Sequence, residues 1–219
     1  MPDFRAAIFD LDGTLIDSMD VWKKIAKDFL KNRFLNLPKN YISTITPMSF
    51  PEAAEYTISL FHLSESANGI VSEWYRMAVY EYSHNIRLKP HVKEYLLYLK
   101  GLGVRLAVAT ASPRVLYEPV LKNNGVYGLF DAFASTDEVS KGKSHPDVYL
   151  LAASRLNVPP ADCVVFEDIY TGILGAKAAG MKAYGVYDKS SAHDKAKIMA
   201  VADGYIHDFS ELIGMPGVK

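Results

Sequence analysis

Cysteine is almost absent: Cys163 is the only one among 219 residues. A single thiol can build neither a disulfide framework nor a multi-cysteine zinc site, and it suits a reducing compartment, so a cytoplasmic protein is expected. Cys163 opens the apolar run CVVF and reads as a small buried hydrophobe rather than a nucleophile. An excess of charge is also missing, since 24 Lys and Arg face 25 Asp and Glu for a net of −1. That balance argues against a nucleic-acid binder driven by phosphate neutralisation. No apolar run is long enough to span a bilayer. The start, MPDFRAAIFDLDG, meets charge too early for the basic and apolar regions of a signal peptide. Neither an internal repeat nor a low-complexity tract is found. What remains is a chain of ordinary apolar content, 49%, able to bury a sizeable core and to carry an inserted lobe.

Short β-rich runs recur at AAIF (6–9), VRLAVA (104–109), DAFAS (131–135), CVVF (163–166) and KAYGVY (182–187). Most are continuously apolar rather than alternating, as in strands covered on both faces of a parallel sheet. Helical patterns separate them. KPHVKEYLLYLKGLG places Pro90 at a first-turn position and a glycine at the stop. SPRVLYEPVLKNNG offers Ser112 as an N-cap and Gly125 as the stop, with Pro119 as a kink. This alternation predicts an α/β fold: a doubly wound, Rossmann-like parallel sheet with its site at the carboxyl ends of the strands. Residues 17–86 break the rhythm. Trp22, Ile25, Ala26, Phe29 and Leu30, then Ile70, Val71, Trp74, Tyr75, Ala78 and Val79, recur at helical spacing with no β-rich run between them. The expected organisation is therefore a core of 1–16 and 87–219 interrupted by an all-helical insert at 17–86, with Asp17-Ser18 as the outgoing hinge and helix cap.

The chemistry-bearing residues cluster at strand ends. AAIFDLDGT places Asp10 and Asp12 two residues apart where an apolar run stops. Asp, Gly and Thr are common turn residues. Average composition, however, gives only on the order of 10⁻³ chance occurrences of Asp-x-Asp-Gly-Thr after a strand in a chain this long. Like charges this close repel, and a cation, a phosphoryl group or a shared proton must offset that cost. Thr110-Ala111-Ser112 follows the second run, Lys143 lies in GKSHPD beyond the third, and Glu167-Asp168 follows the fourth. A doubly wound sheet would converge these ends on one edge. Carboxylates alone favour a hard cation, Mg²⁺ above all. A lysine and a hydroxyl beside it suit a phosphoryl group. Gly142-Lys143-Ser144 is no P-loop ending, because the required earlier glycine is replaced by Asp137. The six histidines show no ligand spacing.

With DLDGT (10–14), Thr110 in VATAS, Lys143 in KGKSHPD and FEDIYTGILGAKAAG (166–180) in this order, the sequence resembles the haloacid dehalogenase-like hydrolase superfamily. The helical insert resembles the cap of its β-phosphoglucomutase and phosphoglycolate-phosphatase-like branch. The resemblance implies that Asp10 is a nucleophile that is transiently phosphorylated. Asp12 would be the general acid/base, its backbone carbonyl also a metal ligand. Thr110, Ala111 and Lys143 would hold the phosphoryl oxygens, with Gly13 letting the turn pass close to them. Asp10, Asp12 and Asp168 would hold Mg²⁺, Glu167 being a further ligand or a group behind the ligands. Met48, Phe50 and Tyr170 are candidates for setting substrate preference.

The expected activity is Mg²⁺-dependent hydrolysis of a small phosphorylated metabolite, sugar phosphates included, by a monomer or weak homodimer that needs neither nucleic acid nor membrane. A β-phosphoglucomutase-like phosphomutase is the competing enzyme. TPMSFPEAAEY (46–56) lacks the arginine that would bind a second phosphate, and no histidine follows in DSMDVWKKIA, which counts against it. A phospho-aspartate receiver module is the non-enzymatic competitor, disfavoured by the insert and by the second aspartate.

Overall fold

The structure, a computed structural model, describes residues 3–45 and 48–214. It divides into two compact units, one spanning Asp20–Asn85 and the other formed by the rest of the chain. The first unit holds helices α1 (Val21–Lys31), α2 (Tyr41–Ile45), α3 (Phe50–Phe61) and α4 (Ala67–His84). Phe29 and Trp74 meet edge to face at 5.5 Å inside it, as the helical spacing of those positions requires. Ser49 caps α3 reciprocally with Glu52, the expected geometry for Ser-Phe-Pro-Glu at a helix start.

The second unit is built on six strands: β1 (Ala6–Phe9), β2 (Arg105–Thr110), β3 (Ala132–Ser135), β4 (Cys163–Glu167), β5 (Lys182–Val186) and β6 (Gly204–Ile206). All pair in parallel, in the order β3-β2-β1-β4-β5-β6. This is the doubly wound order, and it reverses at β1. Helices α5 (Val92–Gly101), α6 (Arg114–Asn123), α7 (Asp147–Leu156), α8 (Tyr170–Ala178) and α9 (Lys195–Val201) connect the strands. Both faces are thereby covered, which is why β1 and β4 are buried at every position.

Alternation along the strands divides the core in two. On one face Phe9 stacks on Phe166 at 4.9 Å and both meet Tyr95 and Phe209. On the other, Ile8 and Val165 pack with Tyr149 of α7 and Ile173 of α8. No helix among the described residues is long and apolar enough to cross a membrane.

Three local expectations are corrected. Ser112 does not cap α6: Pro113 holds that position, without a side-chain bond. Ser18 does not cap α1, which starts later, after Asp20. Pro90 stands just ahead of α5 rather than in its first turn, because His91 takes a left-handed conformation at the cap. The sixth strand, Gly-Tyr-Ile at the sheet edge, carries too short an apolar run to be read from sequence.

Truncating the fully buried Phe9 to Ala should cost about 3–5 kcal/mol in urea unfolding followed by circular dichroism. Leu97→Ala, at a position 50% exposed on α5, should stay within about 0.5 kcal/mol of the parent.

Candidate functional site

Asp10 leaves the carboxyl end of β1 with its N–H donating to the Phe166 carbonyl, 2.9 Å, so the ladder with β4 continues one residue past the strand. Because Phe9 pairs with Phe166, Asp10 and Glu167 emerge side by side. Period-two alternation turns Glu167 away from the Phe9–Phe166 stack and toward α7 and α8. There its Oε1 accepts from Lys143 Nζ at 2.8 Å and Tyr149 OH at 3.2 Å, while Oε2 accepts from the Asp168 N–H at 2.9 Å. Lys143 also donates to Asp10. α8 can approach this network only because Gly172 has no side chain: a Cβ there would lie 2.0 Å from Glu167 Oε1.

Asp168 completes the group. Carboxylate oxygens of Asp10, Glu167 and Asp168 lie within 4.8 Å of one another, all buried. Thr14 Oγ1 donates to Asp168 Oδ1 at 3.4 Å, whereas Oδ2 is buried with no hydrogen-bond partner among the described residues. Gly13 passes beneath it at φ +85°, and a Cβ on that residue would lie 2.6 Å from Oδ2.

With all three carboxyls ionised, one ammonium would leave two negative charges in excess inside the protein, and the cost of that excess shows in their titration. Burial pushes the Asp10 carboxyl up to about 7, Glu167 adding to the rise and Lys143 opposing it. Burial, then Glu167 and Asp10, push Asp168 up to about 9. Burial opposes the charge of Lys143, but Asp10 and Glu167 outweigh it and hold the ammonium well above the usual lysine range. An orphaned buried oxygen within a set of carboxylate oxygens, two of whose carboxyls resist ionising, fits a hard divalent cation.

Asp12, two residues on, has different surroundings. It is half-buried, and its two oxygens accept from Ser18 Oγ and Ser112 Oγ, each at 2.7 Å. Thr110, the last residue of β2, is buried, and its Oγ1 accepts from the Ser112 N–H at 2.9 Å. A hydroxyl so engaged still has its O–H to donate. Ala111 beside it is exposed. Tyr170, at the start of α8, packs half-buried against the Ile8–Val165 side of the core. Met48 and Phe50 belong to the helical unit, where the Phe50 ring lies 5.0 Å from Trp22 and 5.2 Å from Tyr75.

Sequence reasoning missed Ser18 and Tyr149, and ranked Ser112 as the weaker hydroxyl candidate beside Thr110. The two serines carried a signal, lying at the ends of the turn and strand that bear Asp12 and Thr110, but helix capping had already accounted for both. Tyr149 carried none, since its helical spacing is that of a core residue.

A family model for haloacid dehalogenase-like hydrolases matches residues 4–180. Hexitol phosphatase B of Escherichia coli (strain K12) is 30% identical over 200 residues, covering 89% of this chain and 89% of its own. Validoxylamine A 7'-phosphate phosphatase of Streptomyces hygroscopicus subsp. limoneus is 31% identical over 209 residues, covering 95% of this chain and 96% of its own. Among solved structures, a candidate β-phosphoglucomutase from Thermotoga maritima aligns with a TM-score of 0.81 at 27% identity, covering 95% of this chain and 96% of that one.

Two predictions follow from the geometry. Gly172→Ala should weaken divalent-cation binding, read by calorimetry, by about 10- to 100-fold, whereas Gly128→Ala, with nothing within 4 Å, should leave it unchanged. The second concerns pH. Both raised carboxyls titrate above their unfolded values of about 4, so their contribution to stability is full below that pH and is lost as pH rises through about 7 and 9. In EDTA the melting temperature should therefore fall between about pH 5.5 and pH 8.5, and a saturating divalent cation should raise it more at the higher pH.

Proposed function

Because this chain belongs to the haloacid dehalogenase-like hydrolase family, we propose that it is a Mg²⁺-dependent phosphohydrolase. Its substrates are small phosphorylated metabolites, sugar phosphates among them, and it works through a phosphorylated Asp10. The observation that carries this reading is the placement of the Asp10 carboxylate, held by Lys143, beside the unpartnered buried oxygen of Asp168. Relatives named as phosphatases of phosphorylated polyols and carbohydrates support the substrate class.

Asp10 attacks phosphorus and forms an acyl phosphate as the ester P–O bond breaks. Asp12 protonates the departing alkoxide, then takes a proton from the water that attacks the same phosphorus, releasing phosphate and restoring Asp10. Lys143 and the Thr110 hydroxyl neutralise and orient the phosphoryl oxygens, with Ala111 and Gly13 beside them. Asp10, Asp168 and the Asp12 carbonyl would hold Mg²⁺. Glu167, both of whose oxygens are engaged by Lys143, Tyr149 and the Asp168 N–H, would stand behind them. Bound Mg²⁺ supplies the positive charge that favours ionised Asp10 and offsets repulsion between carboxylate and phosphate. The helical unit is read as a cap bearing Met48 and Phe50. Hydrolysis is preferred to mutase chemistry because 46–56 contains no cationic side chain for a second phosphate.

A screen of phosphorylated metabolites with and without Mg²⁺ tests the reading. Turnover should vanish in EDTA and return with Mg²⁺, and isomerisation without phosphate release would identify a mutase instead. Asp10→Asn should lower kcat at least about 10³-fold. Asp12→Asn should slow hydrolysis of sugar phosphates far more than that of p-nitrophenyl phosphate, whose leaving group needs no proton. Equal losses on both substrates in single-turnover release of the leaving group, which isolates the first step from hydrolysis of the acyl phosphate, would remove Asp12 from the acid role.

A further inference from the structure

Lys89 lies outside every motif described above, in the stretch that leads back from the helical unit into the core. Its side chain is 14% exposed, and its Nζ donates to three oxygens: the Gly13 carbonyl at 2.6 Å, the Tyr187 carbonyl at 2.5 Å and Asp188 Oδ2 at 3.1 Å. An ammonium has three protons, so the group is fully engaged within the protein and has none left for a phosphate. Asp188 is itself fixed, its Oδ1 accepting from the Ser190 N–H at 2.8 Å and the Ser190 hydroxyl at 2.7 Å. The main chain near Lys89 binds the same turn. Its N–H donates to the Leu15 carbonyl at 2.9 Å, the Asp17 N–H donates to the Arg87 carbonyl at 3.0 Å, and Ile16 bridges Leu88.

The partner that matters is Gly13. Glycine has the widest backbone freedom of any residue, and this one, at φ +85°, has no side chain to hold it. It sits between Asp12 and Thr14, under Asp168. Fixing its carbonyl fixes the planar trans peptide that follows, and with it Thr14, whose hydroxyl reaches Asp168. A charged donor on a carbonyl makes a stronger bond than a neutral one, and Asp188 holds that donor in place.

We propose that Lys89 is a positioning residue: by gripping the Gly13 carbonyl against the loop after β5, it holds the Asp10–Thr14 turn in its reactive geometry. The consequence for turnover rests on the phosphohydrolase reading; the restraint on the turn does not. Displacement by about 1 Å can cost on the order of 10²-fold in rate, so a loosened turn should be visible in kcat.

The test compares Lys89→Met, Lys89→Arg and Asp188→Asn in the full chain. It uses hydrogen exchange of the peptide containing Gly13, Leu15 and Ile16, and steady-state kinetics with p-nitrophenyl phosphate and Mg²⁺. In Lys89→Met these turn amides should exchange at least about tenfold faster while the sheet stays protected. The kcat should fall roughly 10- to 100-fold with KM within about threefold. Lys89→Arg keeps the charge but not the compact three-donor geometry, so its turn amides should exchange at a rate between those of the parent and Lys89→Met, and a rate equal to the parent's would count against the grip on the Gly13 carbonyl. Unchanged turn exchange, or an unchanged kcat, in Lys89→Met overturns the proposal, as does an exchange increase spread evenly over the sheet. Should Lys89→Met fail to fold by circular dichroism, Asp188→Asn decides: faster exchange confined to the turn supports the proposal, and none overturns it. If the parent hydrolyses no phosphate ester, the functional reading fails, and exchange alone then decides for or against the restraint.

Discussion

The molecule is organised around an electrostatic debt: carboxylates of Asp10, Glu167 and Asp168 crowded within 4.8 Å in the interior, with Lys143 as the one ammonium donating to two of them. Charges removed from water are costly unless paired and hydrogen-bonded. The three groups are not equivalent in how they meet that cost. Both oxygens of Glu167 are engaged by Lys143, Tyr149 and a backbone N–H, so it is structurally satisfied and serves to hold the lysine. Asp168 is left with one oxygen that nothing among the described residues satisfies. The unmet requirement is thus concentrated on one side of the cluster, beside Asp10. That is where a divalent cation would bring the largest return.

Sheet topology explains how so much charge can be assembled without dissolving the core. The strand order reverses at β1, so the ends of β1 and β4 are neighbours with no strand crossing above them. Side-chain alternation then sorts the chemistry by face. Phe9 and Phe166 stack on the face shared with Tyr95 and Phe209, and the next residue of each strand, Asp10 and Glu167, turns toward α7 and α8. One step of register separates an aromatic layer from an acidic one. Missing Cβ atoms at Gly172 and Gly13 let α8 and the first turn close over that layer.

How much of this was legible in the sequence depended on whether the signal was local. Five of the six strands announced themselves as short, largely apolar β-rich runs, because both sheet faces are buried. β6, three residues at the edge and headed by glycine, had too little apolar surface to show. Asp10, Lys143, Glu167 and Asp168 stood out because like charges at strand ends need an explanation, and the fold does bring them together. The residues that hold them did not stand out. Tyr149 reads as core until Glu167 is known to lie opposite, and Lys89 reads as a solvated lysine until Gly13, 76 positions away, is known to be its partner. Ser18 and Ser112 were visible but misread, since a serine ahead of a helix has a local use as its cap, which hid their bonds to Asp12, six and 100 positions away.

That misreading bears on Asp12. Two aspartates two residues apart have been given opposite kinds of neighbour: an ammonium for Asp10, two hydroxyls for Asp12. A cation can only donate, and so it supports an acceptor that stays ionised. A serine hydroxyl donates to an ionised carboxylate and accepts from a protonated one, rotating its hydrogen to suit. The pair of serines can therefore keep Asp12 in one orientation whether its carboxyl is ionised or protonated. A lysine in their place would hold the same position while opposing the protonated state, so hydroxyls suit the proton-transfer role proposed for Asp12 in a way that a charge would not.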